Sequence, residues 1–159
     1  MGLTFQRETI ASVFDEALTL AKLNLDETGF EGMEGAMPDR ERYLQIEKAV
    51  PTFAFTARSA GELVGYALFV VLEHVHYPGK YTANQENLYV RKDFRGIPAV
   101  KFIHWMDDQL ESDSSVDYIV KVVSVRNDYS RILDKMGYEI AEKSYIKHLK
   151  KEERAATWL

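Results

Sequence analysis

Apolar residues recur at spacings of three and four along Ile10, Val13, Phe14, Ala17, Leu18, Ala21 and Leu25, which predicts a helix with one apolar stripe starting near Thr9. A second helix is predicted after Pro38, with Asp39 as its N-cap and Tyr43, Leu44, Ile46 and Val50 as its apolar positions. Between them, Glu27 to Pro38 has loop composition, with Gly29, Gly32 and Gly35. At Thr52 the period changes: Phe53, Phe55 and Ala57 alternate with Thr52, Ala54 and Thr56. Ser59-Ala60-Gly61-Glu62 then supplies turn residues, and Leu63 to Val75 is rich in β-branched and aromatic side chains, so the segment predicts a hairpin. A third strand is predicted over roughly Asn87 to Arg91, followed by a helix carrying Ala99, Phe102, Ile103, Met106 and Leu110 on one face. Val116 to Val123 reads as a further strand and Asp128 to Lys135 as a short helix stopped by Gly137. Tyr138 to Leu149 reads as one or two closing strands. This order predicts an α+β fold, a mixed sheet with helices on both faces, in one domain over residues 1–149 with a polar tail at 150–159.

The totals narrow the function classes. At 159 residues, 46% hydrophobic and 28% charged, the chain is long enough to bury a core without staples. The absence of cysteine excludes disulfides, thiolate metal sites and cysteine nucleophiles, and fits a reducing compartment. A net charge of −5 argues against a nucleic-acid partner, because neutralising phosphates needs a basic face. The longest nearly apolar run, Leu63 to Leu72, is about half of what a bilayer span requires, and Met1 to Arg7 is too polar for an export signal. The expectation is a cytoplasmic protein with no membrane partner. Asp107, Asp108, Glu111, Asp113 and Asp117 form an acidic cluster, read as a solvated helix end that could alternatively attract a cationic substrate.

Three segments resemble the GNAT superfamily of acyl-CoA-dependent N-acyltransferases. Ala57 to Tyr66 looks like the family's second and third strands, and Leu88-Tyr89-Val90-Arg91-Lys92-Asp93-Phe94-Arg95-Gly96 like its fourth strand and the approach to the acyl-CoA loop. Ser130 to Tyr138 looks like its late helix, which ends in a Gly-aromatic pair. The likeness spans roughly Thr52 to Leu149 and is greatest to the small GNAT proteins encoded by bacteriophages, which would place the chain in a host cytoplasm. The resemblance implies the GNAT fold with a mostly antiparallel sheet, acetyl-CoA as co-substrate and an amine acceptor of unknown identity. It also implies contacts to acetyl-CoA from Leu88, Tyr89, Val90, Arg95, Gly96, Ile97, Ala99 and Val100. A helix start suits a pyrophosphate, because its first N–H groups are unpaired and the helix dipole is positive there. Mapped from Arg95, however, Pro98 stands where the family has Gly and Val100 where it has Gly or Ala, so one donor is lost and bulk is added. Proline is nevertheless welcome in a helix's first turn.

Acetyl transfer needs a deprotonated amine, a protonated leaving thiolate and a polarised carbonyl. The resemblance puts the carbonyl's N–H donor near Tyr89 and Val90, and an acidic base at Glu86, just before the fourth strand; a solvated carboxylate is the other reading of Glu86. The family's acid is a Tyr four residues before the Gly of the Gly-aromatic pair, where this chain has Leu133, which leaves Tyr129 as the substitute donor. Tyr89 and Tyr138 read as core aromatics. His74 and His76 share one side of a predicted strand, where a metal would need a third ligand from elsewhere, so no metal is expected; either could instead act as a base. Trp105 falls off its helix's core stripe and marks either a partner surface or packing over the sheet. Two functions stay open: an N-acetyltransferase acting on a small molecule or protein, and a weak or inactive protein of the same fold that binds a cellular protein. Homodimerisation stays open with both.

Overall fold

The computed structural model describes residues 2–35 and 37–149; the polar tail at 150–159 lies outside the described residues. The elements run β1 (Thr4–Glu8), α1 (Ile10–Thr28), α2 (Arg40–Ala49), β2 (Thr52–Ser59), β3 (Glu62–Glu73) and β4 (Tyr81–Val90). A short 3-10 turn (Lys92–Phe94), α3 (Ile97–Glu111), β5 (Tyr118–Val120) and α4 (Ser130–Lys135) follow. The strands form one mixed sheet in the order β1-β2-β3-β4-β5, antiparallel throughout except for the parallel pairing of β4 with β5.

Local chemistry sets most boundaries. Thr9 caps α1 in a reciprocal box with Ser12, and the Glu47 carboxylate of α2 accepts the Ile10 and Ala11 N–H groups, which ties the two helices together. Asp39 caps α2 as expected. The β2–β3 hairpin closes through Ala60 and Gly61, both at positive φ (48° and 85°), the backbone that a two-residue turn needs to match strand twist.

The sheet separates two layers. On one face α3 and α4 pack Phe102, Ile103, Met106, Leu110 and Leu133 against Phe53, Phe55, Phe69, Val71 and Val90. Trp105 lies over this face, within ring contact of Phe5, Phe55 and Phe102, so it covers the sheet. On the other face α1 sets Ile10, Val13, Phe14 and Leu20, and α2 the partly buried Tyr43 and Leu44, against Ala54, Leu63, Leu68 and Tyr89.

Several boundaries differ from the sequence expectations. An edge strand, β1, precedes the first helix; Arg58 of β2 fastens it there by bonds to Glu8, while also pairing with Glu16 of α1. Strand β4 begins at Tyr81, six residues before the predicted start, so Glu86 lies inside it. His74 and His76 are not on a strand: β3 ends at Glu73, and they lie in the turn that follows, where His74 Nδ1 accepts the His76 N–H at 3.2 Å. Among the described residues no three His, Asp or Glu side chains gather to hold a metal. Strand β5 has three residues, shorter than the predicted Val116 to Val123. Residues 139–149 are exposed and form no strand, in place of the closing strands expected there.

Asp107, read as part of a solvated acidic cluster, is instead buried. Its Oδ1 lies 2.5 Å from Lys121 Nζ in an off-axis ion pair, and its Oδ2 accepts the Tyr138 hydroxyl at 2.7 Å. The Lys121 chain is fully enclosed, and burial pulls its pKa down against the opposing pull of the carboxylate.

Candidate active site

Strand β4 organises the site through two irregularities. The first is a bulge: Leu68 of β3 faces Asn87 and Phe69 faces Gln85, so Glu86 is an extra residue with no partner on β3. Without it, alternation would send Glu86 and Asn87 to opposite faces; with it, both line the cavity between the sheet and α1 and α2, while Gln85 points to the α4 side and meets Tyr129. The second is a divergence. Strand β5 pairs only with Thr82, Ala83 and Asn84, so among the described residues β4 has no neighbouring strand on that side from Gln85 onward.

Backbone alternation determines what this opening receives. The Arg91 N–H donates to the Val64 carbonyl at 2.9 Å, so Tyr89, two residues earlier, also turns its amide toward β3, and Leu88 and Val90 turn theirs toward the opening. The Val90 carbonyl accepts from Arg95 Nε at 2.8 Å, whereas the Leu88 and Val90 N–H groups face no strand. An oxygen seated in the opening would find them as donors.

At the end of β4 the chain turns into α3. Gly96 is the N-cap at φ 89° and ψ −138°, a backbone favoured only by glycine, and a Cβ there would meet nothing within 4 Å. No side chain caps the helix, so its first amides stay available. Pro98 contributes none, and the Val100 N–H is spent on the Gly96 carbonyl, which leaves Gly96, Ile97 and Ala99 as the donor set. These amides on an uncapped helix start, beside open space, fit a pyrophosphate. Arg95 does not extend into that space. Its Nη1 and Nη2 donate to Glu27 at 2.7 and 2.8 Å, and its guanidinium lies 5.4 Å from the centre of the Tyr89 ring, so it clamps the end of α1 to the turn before α3. That bond holds the Glu27 carboxyl below its ordinary range and raises Arg95 further.

The two catalytic candidates lie on opposite faces of β4. Glu86 is exposed at the rim of a cavity of about 290 Å³ that also presents Asn24, Tyr43, Tyr66 and Asn87. The Tyr43 phenol is raised by burial and by the Glu86 charge, and Tyr66 mainly by burial, so both stay protonated at neutral pH. The Tyr129 hydroxyl bridges the divergence, accepting from Gln85 Nε2 at 3.0 Å and lying 3.3 Å from the Val122 carbonyl, to which it donates. Burial raises this phenol too. Leu133 is buried in the core, so no hydroxyl takes the place of the family's Tyr. The turn histidines line neither this cavity nor a larger open hollow of about 550 Å³ beside the end of α1, which no β4 residue lines.

Sequence reasoning missed the bulge, the divergence and the roles of Asn24, Tyr43 and Tyr66. The lone signal was the tyrosine of a predicted α2 stripe, which reads as core.

No family model matches the chain, and no curated protein matches it. Among solved structures it is similar to a ribosomal-protein-alanine N-acetyltransferase from Brucella melitensis biovar Abortus 2308, at 19% identity and TM-score 0.69, over 94% of this chain and 100% of that one. A predicted acetyltransferase from Clostridium acetobutylicum, solved with acetyl-CoA, superimposes at TM-score 0.70 with 12% identity, over 96% of this chain and 99% of that one. An aminoglycoside acetyltransferase from an uncultured soil metagenomic sample, in complex with sisomicin, gives 0.67 and 17%, over 95% and 97%. At these identities the likeness concerns architecture: the chain has the α+β fold of the GNAT acetyltransferases.

Proposed function

We propose that this chain is an acetyl-CoA-dependent N-acetyltransferase, formed by one domain over residues 1–149 and acting in the cytoplasm, that of a host if the chain is phage-encoded. The observation that supports this reading is the end of β4–β5 pairing at Asn84, with an uncapped helix start following the same strand, so that strand amides and helix amides without strand or side-chain partners among the described residues succeed one another along the chain. Acetyl-CoA supplies an acetyl thioester. Gly96, Ile97 and Ala99 hold its pyrophosphate by backbone N–H groups, and Leu88, Tyr89, Val90 and Val100 line its path. The Val90 N–H polarises the acetyl carbonyl, Glu86 takes the acceptor's proton on the α1 side, and the Tyr129 hydroxyl is the proton donor on the other. Arg95 orders the loop by binding Glu27 and the Val90 carbonyl.

Calorimetric titration with acetyl-CoA tests the proposal. The parent should bind, and Ile97→Glu, which adds a carboxylate at an exposed side chain of the helix start proposed to hold the phosphates, should remain folded and lose at least about tenfold in affinity. No heat at millimolar acetyl-CoA would remove the nucleotide from the account. A second reading keeps the fold without the chemistry, with the chain acting on a cellular protein by contact, alone or as a homodimer. The buried Leu133, the engaged Tyr129 hydroxyl and the missing Pro98 N–H favour it, and it takes over if the titration is blank.

A further inference from the structure

The cavity that Glu86 overlooks has a composition that selects its occupant. Its α1 wall is the stripe Val13, Phe14, Ala17, Leu18 and Ala21, with no polar interruption over two turns. Asn24, one turn further along, opens a polar group completed by Thr28, whose hydroxyl donates to the Asn24 backbone carbonyl, and by Tyr43, Tyr66, Glu86 and Asn87. These belong together: all of them line the one cavity, the Tyr43 phenol is raised by burial and also by the Glu86 charge, and the buried Asn87 Oδ1 has no hydrogen-bond partner among the described residues. Glu86 is the sole ionisable carboxylate in the lining, which includes no Lys, Arg or His. A phosphate or carboxylate on the acceptor would therefore meet a negative charge and no counter-ion, whereas an ammonium would meet a carboxylate with phenol and amide groups around it. The hydroxyls of a sugar would lie on the apolar wall without partners and lose their water for nothing. A small body suits the cavity, whose volume of about 290 Å³ corresponds to on the order of ten water-sized groups at roughly 30 Å³ each.

We infer that the acceptor is a small primary amine on an apolar body, an arylalkylamine or short alkylamine, with its nitrogen at Glu86 and its body along α1. This inference rests on the acetyltransferase reading and adds the acceptor class to it. The transfer balances without a further reactant. Glu86 takes one proton from the ammonium, the freed nitrogen lone pair forms the C–N bond to the acetyl carbon, and the C–S bond breaks with its electron pair left on sulfur. The Tyr129 hydroxyl protonates that sulfur to the CoA thiol and recovers its proton, by way of water, from the nitrogen's second proton, and the proton on Glu86 passes to water.

The experiment compares phenethylamine, glucosamine and glucosamine 6-phosphate as acceptors by release of the CoA thiol from acetyl-CoA, and measures phenethylamine binding by calorimetry without acetyl-CoA. Phenethylamine should exceed both sugars in kcat/KM by at least about 100-fold, and should bind alone. Glu86→Gln, a change at an exposed side chain, should weaken that binding at least tenfold while leaving acetyl-CoA affinity unchanged. Ala21→Phe, which fills the cavity, should cut the preference for phenethylamine over ethylamine at least tenfold. If that variant does not fold, the parent's order of acceptors still decides. A preference for either sugar overturns the inference and leaves the acetyltransferase reading standing. Absence of acetyl-CoA binding together with no turnover of any amine overturns the reading beneath it, and the inference with it.

Discussion

Asp107→Asn removes one charge from an enclosed pair while keeping its shape, so the cost falls on Lys121. The Lys121 side chain is 0% exposed and that of Asp107 7%, which leaves water no part in screening the separated charge. An amide oxygen can still accept the Tyr138 hydroxyl, so the change isolates the electrostatic loss. Removing one partner of a buried pair costs about 3–5 kcal/mol. At about 2–4 °C per kcal/mol for a chain of this size, the melting temperature should fall by roughly 6–20 °C at neutral pH. The pH dependence has a definite sign. Burial holds Lys121 below its unfolded pKa, so between the two values the unfolded chain binds the additional proton. Stability therefore rises with pH through that window, up to about 10.4, and is lost as pH falls toward the folded value. Losing the carboxylate pushes the folded pKa lower and widens the window, so the deficit of Asp107→Asn should shrink between neutral pH and about pH 10. Thermal and urea unfolding by circular dichroism from pH 6 to 10 measures this, with Lys121→Met and the double variant completing a cycle. The double variant should recover most of either single loss. A cost under about 1 kcal/mol with flat pH dependence, or a double variant as damaged as the sum of the singles, would refute the reasoning.

Glu27→Gln should cost about 1–2 kcal/mol at pH 7, because it removes a charge-assisted fork that is only partly exposed. The Glu27 pKa is lowered in the fold, so its contribution is present above about pH 4.5 and disappears as pH falls through the folded value; melting curves of parent and variant should converge in acid. Glu86→Gln should lower the rate at saturating acetyl-CoA by roughly 100-fold, with partial rescue at high pH where more amine is already neutral. Full activity in that variant, with loss in His74→Asn or His76→Asn, would transfer the base to the β3–β4 turn.

Legibility followed the range of the interactions. The α1 stripe, the Asp39 cap, the Ala60-Gly61 turn and the Gly96 helix start are local, and each was readable from spacing or turn chemistry. Strand β1 was not, because an edge strand of Thr4-Phe5-Gln6-Arg7-Glu8 buries little and takes its stability from pairing with β2. The early half of β4 was hidden for a related reason: Thr82, Asn84 and Gln85 are polar, yet their neighbours cover them. No pattern in one strand reveals a bulge, since Glu86 is an extra residue only relative to the register of β3. Asp107 misled because four acidic residues near it in sequence suggest solvent, whereas its partners Lys121 and Tyr138 come from after β5 and α4.

The parting of β4 from β5 also leaves a signature in the rate at which backbone hydrogens exchange with deuterated water. Along an ordinary central strand every amide is locked to one neighbour or the other, and protection is nearly uniform. In β4 the Tyr89 amide is bonded to β3, but those of Leu88 and Val90 face no strand, although the Val90 side chain is buried. Protection should therefore alternate residue by residue, with Leu88 and Val90 exchanging early from the middle of the sheet while Tyr89 waits for larger openings. A molecule that accepts hydrogen bonds from the open side would erase the alternation, so these two amides report occupancy of the site directly, independent of any turnover.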